Sequence, residues 1–225
     1  CLQKVSLLDY PGKIAAIVFT QGCNFKCGYC HNPELNKLSA QRPAYTVPAF
    51  FEFLKTRLGK LDGIVITGGE TCIQKDLKKF ILKIKELGFL VKLDTNGSKP
   101  EVLSDLIDAK LLDYIAMDIK APLNKYCRVT KTDIAVENIK RSVEIIMDSG
   151  VEYEFRTTVI KGQLETEDFN QIGDLINGAK KYYLQKFVPA KILDKRFLNK
   201  QTFTDTEFNS IVNFLKEKIE LISVR

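Results

Sequence analysis

The chain has 225 residues, 45% of them hydrophobic and 28% charged, with a formal net charge of +6. That length holds one sizeable core, and the balance is that of a soluble globular enzyme rather than a disordered or fibrous chain. No apolar stretch approaches a membrane span and the start lacks a signal-peptide pattern, so a cytoplasmic setting with no membrane partner is expected.

The chain carries six cysteines. Three of them fall in one short loop, which points to a metal centre in a reducing compartment rather than a disulfide framework. The lysines are spread along expected helices, as in 75–85 and 180–200, so the positive charge reads as solvated faces and no nucleic-acid partner is expected. A modest positive field suits the docking of an acidic electron donor.

In chain order, residues 1–13 end in the turn Pro11-Gly12, and residues 14–19 form an apolar run that reads as a buried strand. The loop 20–35 follows, with Cys23, Cys27 and Cys30 at C-x3-C-x2-C spacing. Three such thiols can wrap one iron–sulfur cube; because a cube usually takes four, one iron is left open to a small molecule. The alternative is a structural zinc held by Cys23, Cys27, Cys30 and His31, which would make the chain a zinc-stabilised nucleic-acid-binding module, although zinc ribbons usually bring two separated ligand pairs. Residues 36–46 are polar and irregular, and a helix is expected from near Pro48 towards Gly59.

Residues 63–67 read as the second strand and run into Gly68, Gly69 and Glu70, where two glycines let the backbone approach a ligand closely. A helix over 75–87 is closed by Gly88, and a third strand over 89–94 ends in Asp94-Thr95-Asn96-Gly97. After a helix from Pro100, the fourth strand, 114–120, alternates: Ile115, Met117 and Ile119 suit helix contact, whereas Ala116, Asp118 and Lys120 suit a polar interior. A helix over 136–150 precedes the fifth strand, 152–158, which sets Glu154, Arg156 and Thr158 on one face. A helix over 169–176, a sixth strand over 182–188, a basic loop over 190–203 and a last helix over 204–222 complete the chain. Six strands joined by long helical connections should be parallel with right-handed crossovers. Their C-terminal ends are where active residues gather in such folds.

The loop Cys23-Asn24-Phe25-Lys26-Cys27-Gly28-Tyr29-Cys30, with an aromatic before its last cysteine, resembles the signature of the radical S-adenosylmethionine (SAM) superfamily. The resemblance implies an α/β fold, an open six-stranded parallel (β/α)6 partial barrel, with residues 1–225 as a single domain. It also implies a 4Fe-4S cluster on Cys23, Cys27 and Cys30, where the amine and carboxylate of SAM chelate the fourth iron and one electron cleaves the S–C5′ bond. Asp9-Tyr10-Pro11-Gly12-Lys13 and Cys30-His31-Asn32-Pro33-Glu34-Leu35 resemble proteins that activate anaerobic ribonucleoside-triphosphate reductase, a branch of the glycyl-radical enzyme activases.

By that resemblance Gly68, Gly69 and Glu70 bind the SAM amino group, and the Tyr29 backbone with apolar groups around Val159 holds the adenine. Asp94, Asp118 and Lys120 match positions around the methionyl carboxylate and ribose, the two aspartates being able to share a monovalent cation. Asn96, Arg156 and Thr158, at the ends of the third and fifth strands, are further candidate cofactor contacts, Arg156 with Lys120 as the cationic partners that buried carboxylates need. The partner is then a glycyl-radical enzyme and the electron donor a flavodoxin or ferredoxin. Alternatives keep the chemistry and change the target, to pyruvate formate-lyase or to a small molecule as in deazaguanine-forming synthases. Asp118 with Lys120, and Arg156 with Glu154, also read as plain interior ion pairs. Where the family has Pro-Thr after the Gly-Gly-Glu segment, this chain has Thr71-Cys72, which places a thiol near the expected cofactor. Cys72 and Cys127 read as free thiols, or with Cys1 as a second centre. Activases with an inserted ferredoxin-like domain carry many more cysteines than this chain has.

Overall fold

The structure is a computed structural model that describes residues 1–36 and 45–225; part of the irregular 36–46 segment therefore lies outside the described residues. Among those residues one sheet runs β1 (Leu2–Ser6), β2 (Ala15–Thr20), β3 (Gly63–Gly68), β4 (Leu90–Thr95), β5 (Tyr114–Asp118), β6 (Glu152–Val159), β7 (Lys181–Lys186) and β8 (Leu221–Val224), in that spatial order. β1 is antiparallel to β2, and every later pair is parallel. The sheet is open, with β1 and β8 at its edges.

The six strands expected from sequence are β2 to β7, and two edge strands are added to them. The last helix corrects the expectation at residue 222: it spans Asp205–Leu215, and the chain then turns back so that Leu221 pairs with Lys181. Pairing β8 with β7 satisfies backbone groups that a longer helix would have left bare on that edge. Residues 2–6 likewise pair with β2 instead of serving as a plain lead-in.

The helices are α1 (Pro33–Asn36), α2 (Val47–Lys55), α3 (Leu77–Glu86), α4 (Pro100–Asp108), α5 (Tyr126–Thr130), α6 (Val136–Asp148), α7 (Asp168–Leu175) and α8 (Asp205–Leu215). Their starts are written locally. Thr46 caps α2 through Ala49 N, Pro100 occupies the first turn of α4, and Thr204 with Glu207 forms a reciprocal cap on α8.

Strand alternation divides the apolar residues between two faces. Outward, Ile64, Ile66, Val91, Leu93, Ile115, Met117 and Phe155 pack under Leu54, Ile81, Leu103, Leu106, Val143 and other helix residues. Inward, Ala15, Ile17, Val65 and Tyr114 gather around Tyr10, whose ring centroid is 5.9 Å from that of Tyr114. Tyr10 thus floors the concave side at the N-terminal ends of the strands. Above that floor the inward positions turn polar.

Candidate active site

The loop after β2 is held from several sides. Gly22 N–H donates to Leu35 O at 2.7 Å, Lys26 N–H to Thr130 O at 2.8 Å, and Cys30 N–H to Cys27 O at 3.1 Å. The segment after β3 packs directly on it: Gly69 N–H donates to Thr20 O at 3.0 Å and Glu70 N–H to Gly22 O at 2.9 Å. Gly68 has φ +120°, which L side chains rarely adopt, and a β-carbon there would lie 2.5 Å from Thr20 O. The two glycines are therefore required by close backbone approach.

One cavity of about 290 Å³ opens at the C-terminal ends of the strands. Cys23, Cys27, Tyr29 and Cys30 line it from the loop, and Gly68 with Gly69 from the end of β3. Asp94 and Asn96 line it after β4, Asp118 and Lys120 after β5, and Arg156 with Thr158 on β6. Twelve residues singled out in the sequence thus meet at one place. Thr158 sits in register with Gln185 of β7, which lines the same wall.

Glu70 is placed elsewhere. Its side chain is fully buried and does not line the cavity. Its carboxylate accepts from Cys72 N at 2.9 Å, Thr95 Oγ1 at 2.7 Å and Asn96 N at 2.7 Å. Burial pushes its pKa up, against the lowering effect of these bonds. The side chain ties the loop after β3 to the loop after β4, leaving its backbone beside the cavity. Cys72 is buried in the helix-side core, receiving Thr95 Oγ1 at 3.6 Å, so its thiol does not line the cavity. Val159 is also a core residue and not a wall of the cavity.

Within the lumen the charges are mutually arranged. Arg156 bridges the two aspartates, with Nε 2.8 Å from Asp118 Oδ1 and Nη1 3.3 Å from Asp94 Oδ2. Lys120 Nζ lies 2.9 Å from Asp118 Oδ2 and 5.9 Å from the Tyr29 ring centroid. Burial alone would raise the Asp118 carboxyl, but Arg156 and Lys120 overcome it and hold the group well below the usual carboxylate range. Asp94 is lowered in the same balance by Arg156 and Lys92. Glu154 accepts from Tyr114 at 3.1 Å and from Arg225 at 3.2 Å, with Arg156 3.9 Å away.

All six cysteines are free thiols. Burial pushes Cys27 up to about 11, with Lys120 pulling the other way. Among the described residues no three His, Cys, Asp or Glu side chains converge tightly enough for a single metal ion, as the zinc alternative and a centre from Cys1, Cys72 and Cys127 would each need. Three thiols spaced around a cavity suit a multi-iron cluster better. His31 lies against Phe187, ring centroids 5.7 Å apart, at the rim.

Several participants escaped the sequence reading. Thr67 donates to Asp94 Oδ2 at 3.2 Å, and Asn24 joins Asn96 at 2.9 Å. The basic segment after β7 straps the loop: Asp194 N–H donates to Gly28 O at 2.9 Å, Leu193 N–H to Cys30 O at 3.1 Å, and Phe197 lies 6.1 Å from the Tyr29 ring. Only Lys92 carried a local signal, two residues before Asp94 on the same strand face.

Comparison with known proteins agrees with this geometry. A family model described as the radical SAM superfamily matches residues 17–176. A Methanocaldococcus jannaschii protein provisionally named a glycyl-radical enzyme activating enzyme is 35% identical over 98% of this chain and 92% of its own length. The pyruvate formate-lyase-activating enzyme of Staphylococcus aureus is 29% identical over 78% of this chain and 74% of its own length. In fold, Streptococcus suis SuiB bound to S-adenosylmethionine aligns with a TM-score of 0.68 at 12% identity over 93% of this chain. The alignment spans 49% of SuiB.

Proposed function

The chain belongs to the radical SAM superfamily, among its glycyl-radical enzyme activating enzymes, and from that premise we propose that its partner is an anaerobic ribonucleoside-triphosphate reductase. Enzymes of this class use a 4Fe-4S cluster and SAM. When bound, the pair would supply one-electron cleavage of the sulfonium and, from it, removal of a hydrogen atom from a glycine Cα.

The chain's own residues bind and orient. Cys23, Cys27 and Cys30 would hold the cluster from a loop fixed by backbone bonds at Gly22, Lys26, Gly28 and Cys30. The backbone of Gly68, Gly69 and Glu70 presents the amino-group site, and Asn96 is held at the rim by Glu70 and Asn24. Lys120 and Arg156 give the cavity the cationic side that a methionyl carboxylate requires. Asp94, Asp118 and Thr158 supply acceptors for the ribose and amine. No general base is needed, because hydrogen-atom transfer depends on placement, which fits a chain whose one histidine sits at the rim.

The observation that carries this reading is the convergence of three thiols with the ends of β3, β4, β5 and β6 on one cavity. The choice of partner rests on the resemblance at residues 9–13 and 30–35. Pyruvate formate-lyase is the second reading, favoured by the named Staphylococcus relative. An acidic flavodoxin or ferredoxin in the cytoplasm serves as electron donor, approaching the basic segment that straps the cluster loop. Anaerobic iron and sulfide analysis, followed by SAM cleavage with each candidate partner, tests the proposal. A glycyl doublet in electron paramagnetic resonance is expected on the reductase; a doublet on pyruvate formate-lyase alone would replace the first reading with the second.

A further inference from the structure

Lys92 is 2% exposed and stands on β4 two residues before Asp94, on the same inward face. Beneath it is the apolar floor; its Nζ is 5.9 Å from the Tyr114 ring centroid. Above it, Nζ lies 2.5 Å from Asp94 Oδ1. Lys92 itself does not line the cavity, whereas Asp94 does. The ammonium therefore reaches the site only through that carboxylate.

Both oxygens of Asp94 are paired, and Oδ1 keeps acceptor capacity on the cavity side. Oδ1 takes Lys92, and Oδ2 takes both Arg156 at 3.3 Å and Thr67 at 3.2 Å. Asp118 is likewise paired, with Arg156 on one oxygen and Lys120 on the other. Three side-chain cations thus face two carboxylates, while the next acid, Glu154, is already held by Arg225 and Tyr114. Each of the two aspartates therefore already has two side-chain cations of the protein beside it. A bare carboxylate beside an apolar floor would draw a small cation from solvent, because a buried charge must be paired. Here a lysine already fills that place.

We propose that Lys92 is a positioning residue, an internal cation that fixes Asp94 at the cavity wall, so that SAM binds this chain without help from an inorganic monovalent ion. The inference rests on the reading of the cavity as the SAM site. An ammonium is a compact point charge, and its removal takes one charged hydrogen bond from Asp94 and leaves space a potassium ion can enter.

The test uses cluster-loaded protein under anaerobic conditions, with SAM affinity measured by equilibrium dialysis in potassium, sodium or tetramethylammonium chloride at one ionic strength. Wild type is expected to bind equally in all three salts. Lys92→Met is expected to lose about tenfold in affinity in tetramethylammonium and to recover most of it in potassium, the loss matching one charged hydrogen bond. Lys92→Arg should keep the wild-type indifference. Melting temperatures in the same salts, taken without SAM, give a second readout: potassium should raise only that of Lys92→Met. A wild-type affinity that climbs severalfold with potassium overturns the proposal, even if Lys92→Met fails to fold. So does a folded Lys92→Met indistinguishable from wild type. Absence of SAM binding to wild type in every salt would instead sink the reading of the cavity, leaving the melting experiment to judge Lys92.

Discussion

Gly69 lies so close to Gly22 that a β-carbon at position 69 would come within 1.9 Å of the Gly22 carbonyl oxygen. The obstacle is backbone on both sides, so no side-chain rotation relieves it. The same approach carries the hydrogen bond from Glu70 N–H to Gly22 O. Gly69→Ala is expected to destabilise the protein by about 2–3 kcal/mol, as overpacking does, and to lower the iron bound after reconstitution. Gly12→Ala is the control for backbone strain without a clash: at φ +69° it costs about 1 kcal/mol, but its methyl meets nothing within 4 Å, so bound iron should stay unchanged. Calorimetry with iron analysis decides between them, and equal iron in both variants would refute the coupling of the two loops.

Cys27 is buried between the other two thiols and Lys120. Cys27→Ala should abolish both the brown cluster chromophore and SAM cleavage while the melting temperature of the cluster-free protein changes little. Visible spectra and a cleavage assay read both effects. Normal cleavage by this variant would rule out the three-thiol assignment.

Glu70 joins two loops through three accepted hydrogen bonds. In Glu70→Gln an amide group must face at least one of those donors, at a cost of about 1–3 kcal/mol for the bond left unmade. Asn96 loses its anchor in the same change. The expected result is a lower melting temperature together with weaker SAM binding by dialysis; unaltered binding would show that Asn96 is held by Asn24 alone.

Asp94 and Asp118 both have folded-state pKa values below the ordinary aspartate value of about 3.9. A carboxylate lowered by folding stabilises the fold at pH values above its unfolded pKa, and that contribution drains away as pH falls through the folded value. Stability should therefore hold down to about pH 4 and decline below it. Asp118→Asn should lose roughly 2–3 kcal/mol at neutral pH, less than a wholly buried pair because the carboxylate faces the cavity. Its melting temperature should approach that of wild type under acid. A constant gap from pH 7 down to pH 2 would contradict this account.

Much of the site was legible because strand and loop chemistry is local. Period-two alternation separated Asp118 from Met117, and the end of each strand supplied a polar residue. What stayed hidden depends on long-range contact. Nothing in residues 2–6 or 221–224 announces an edge strand, since each is defined by a neighbour far away in sequence. Glu70 carries no mark that its side chain turns inward, because its three donors come from positions 72, 95 and 96. The strap over the cluster loop was equally opaque: Asp194 meets Gly28 through backbone atoms, which side-chain identity does not encode.

Tyr10, closing the base of the lumen, has a consequence for traffic. With that base shut, no route leads in from the N-terminal ends of the strands, and the mouth at their C-terminal ends is expected to be the doorway for fresh cofactor, spent fragments and the partner's glycine alike. A docked macromolecule covers that doorway, which imposes a compulsory sequence: small molecules enter before docking, and their remnants leave after release. Each visit of the partner then yields one radical. Exchange of labelled methionine into an intact complex would show a back door and break the sequence.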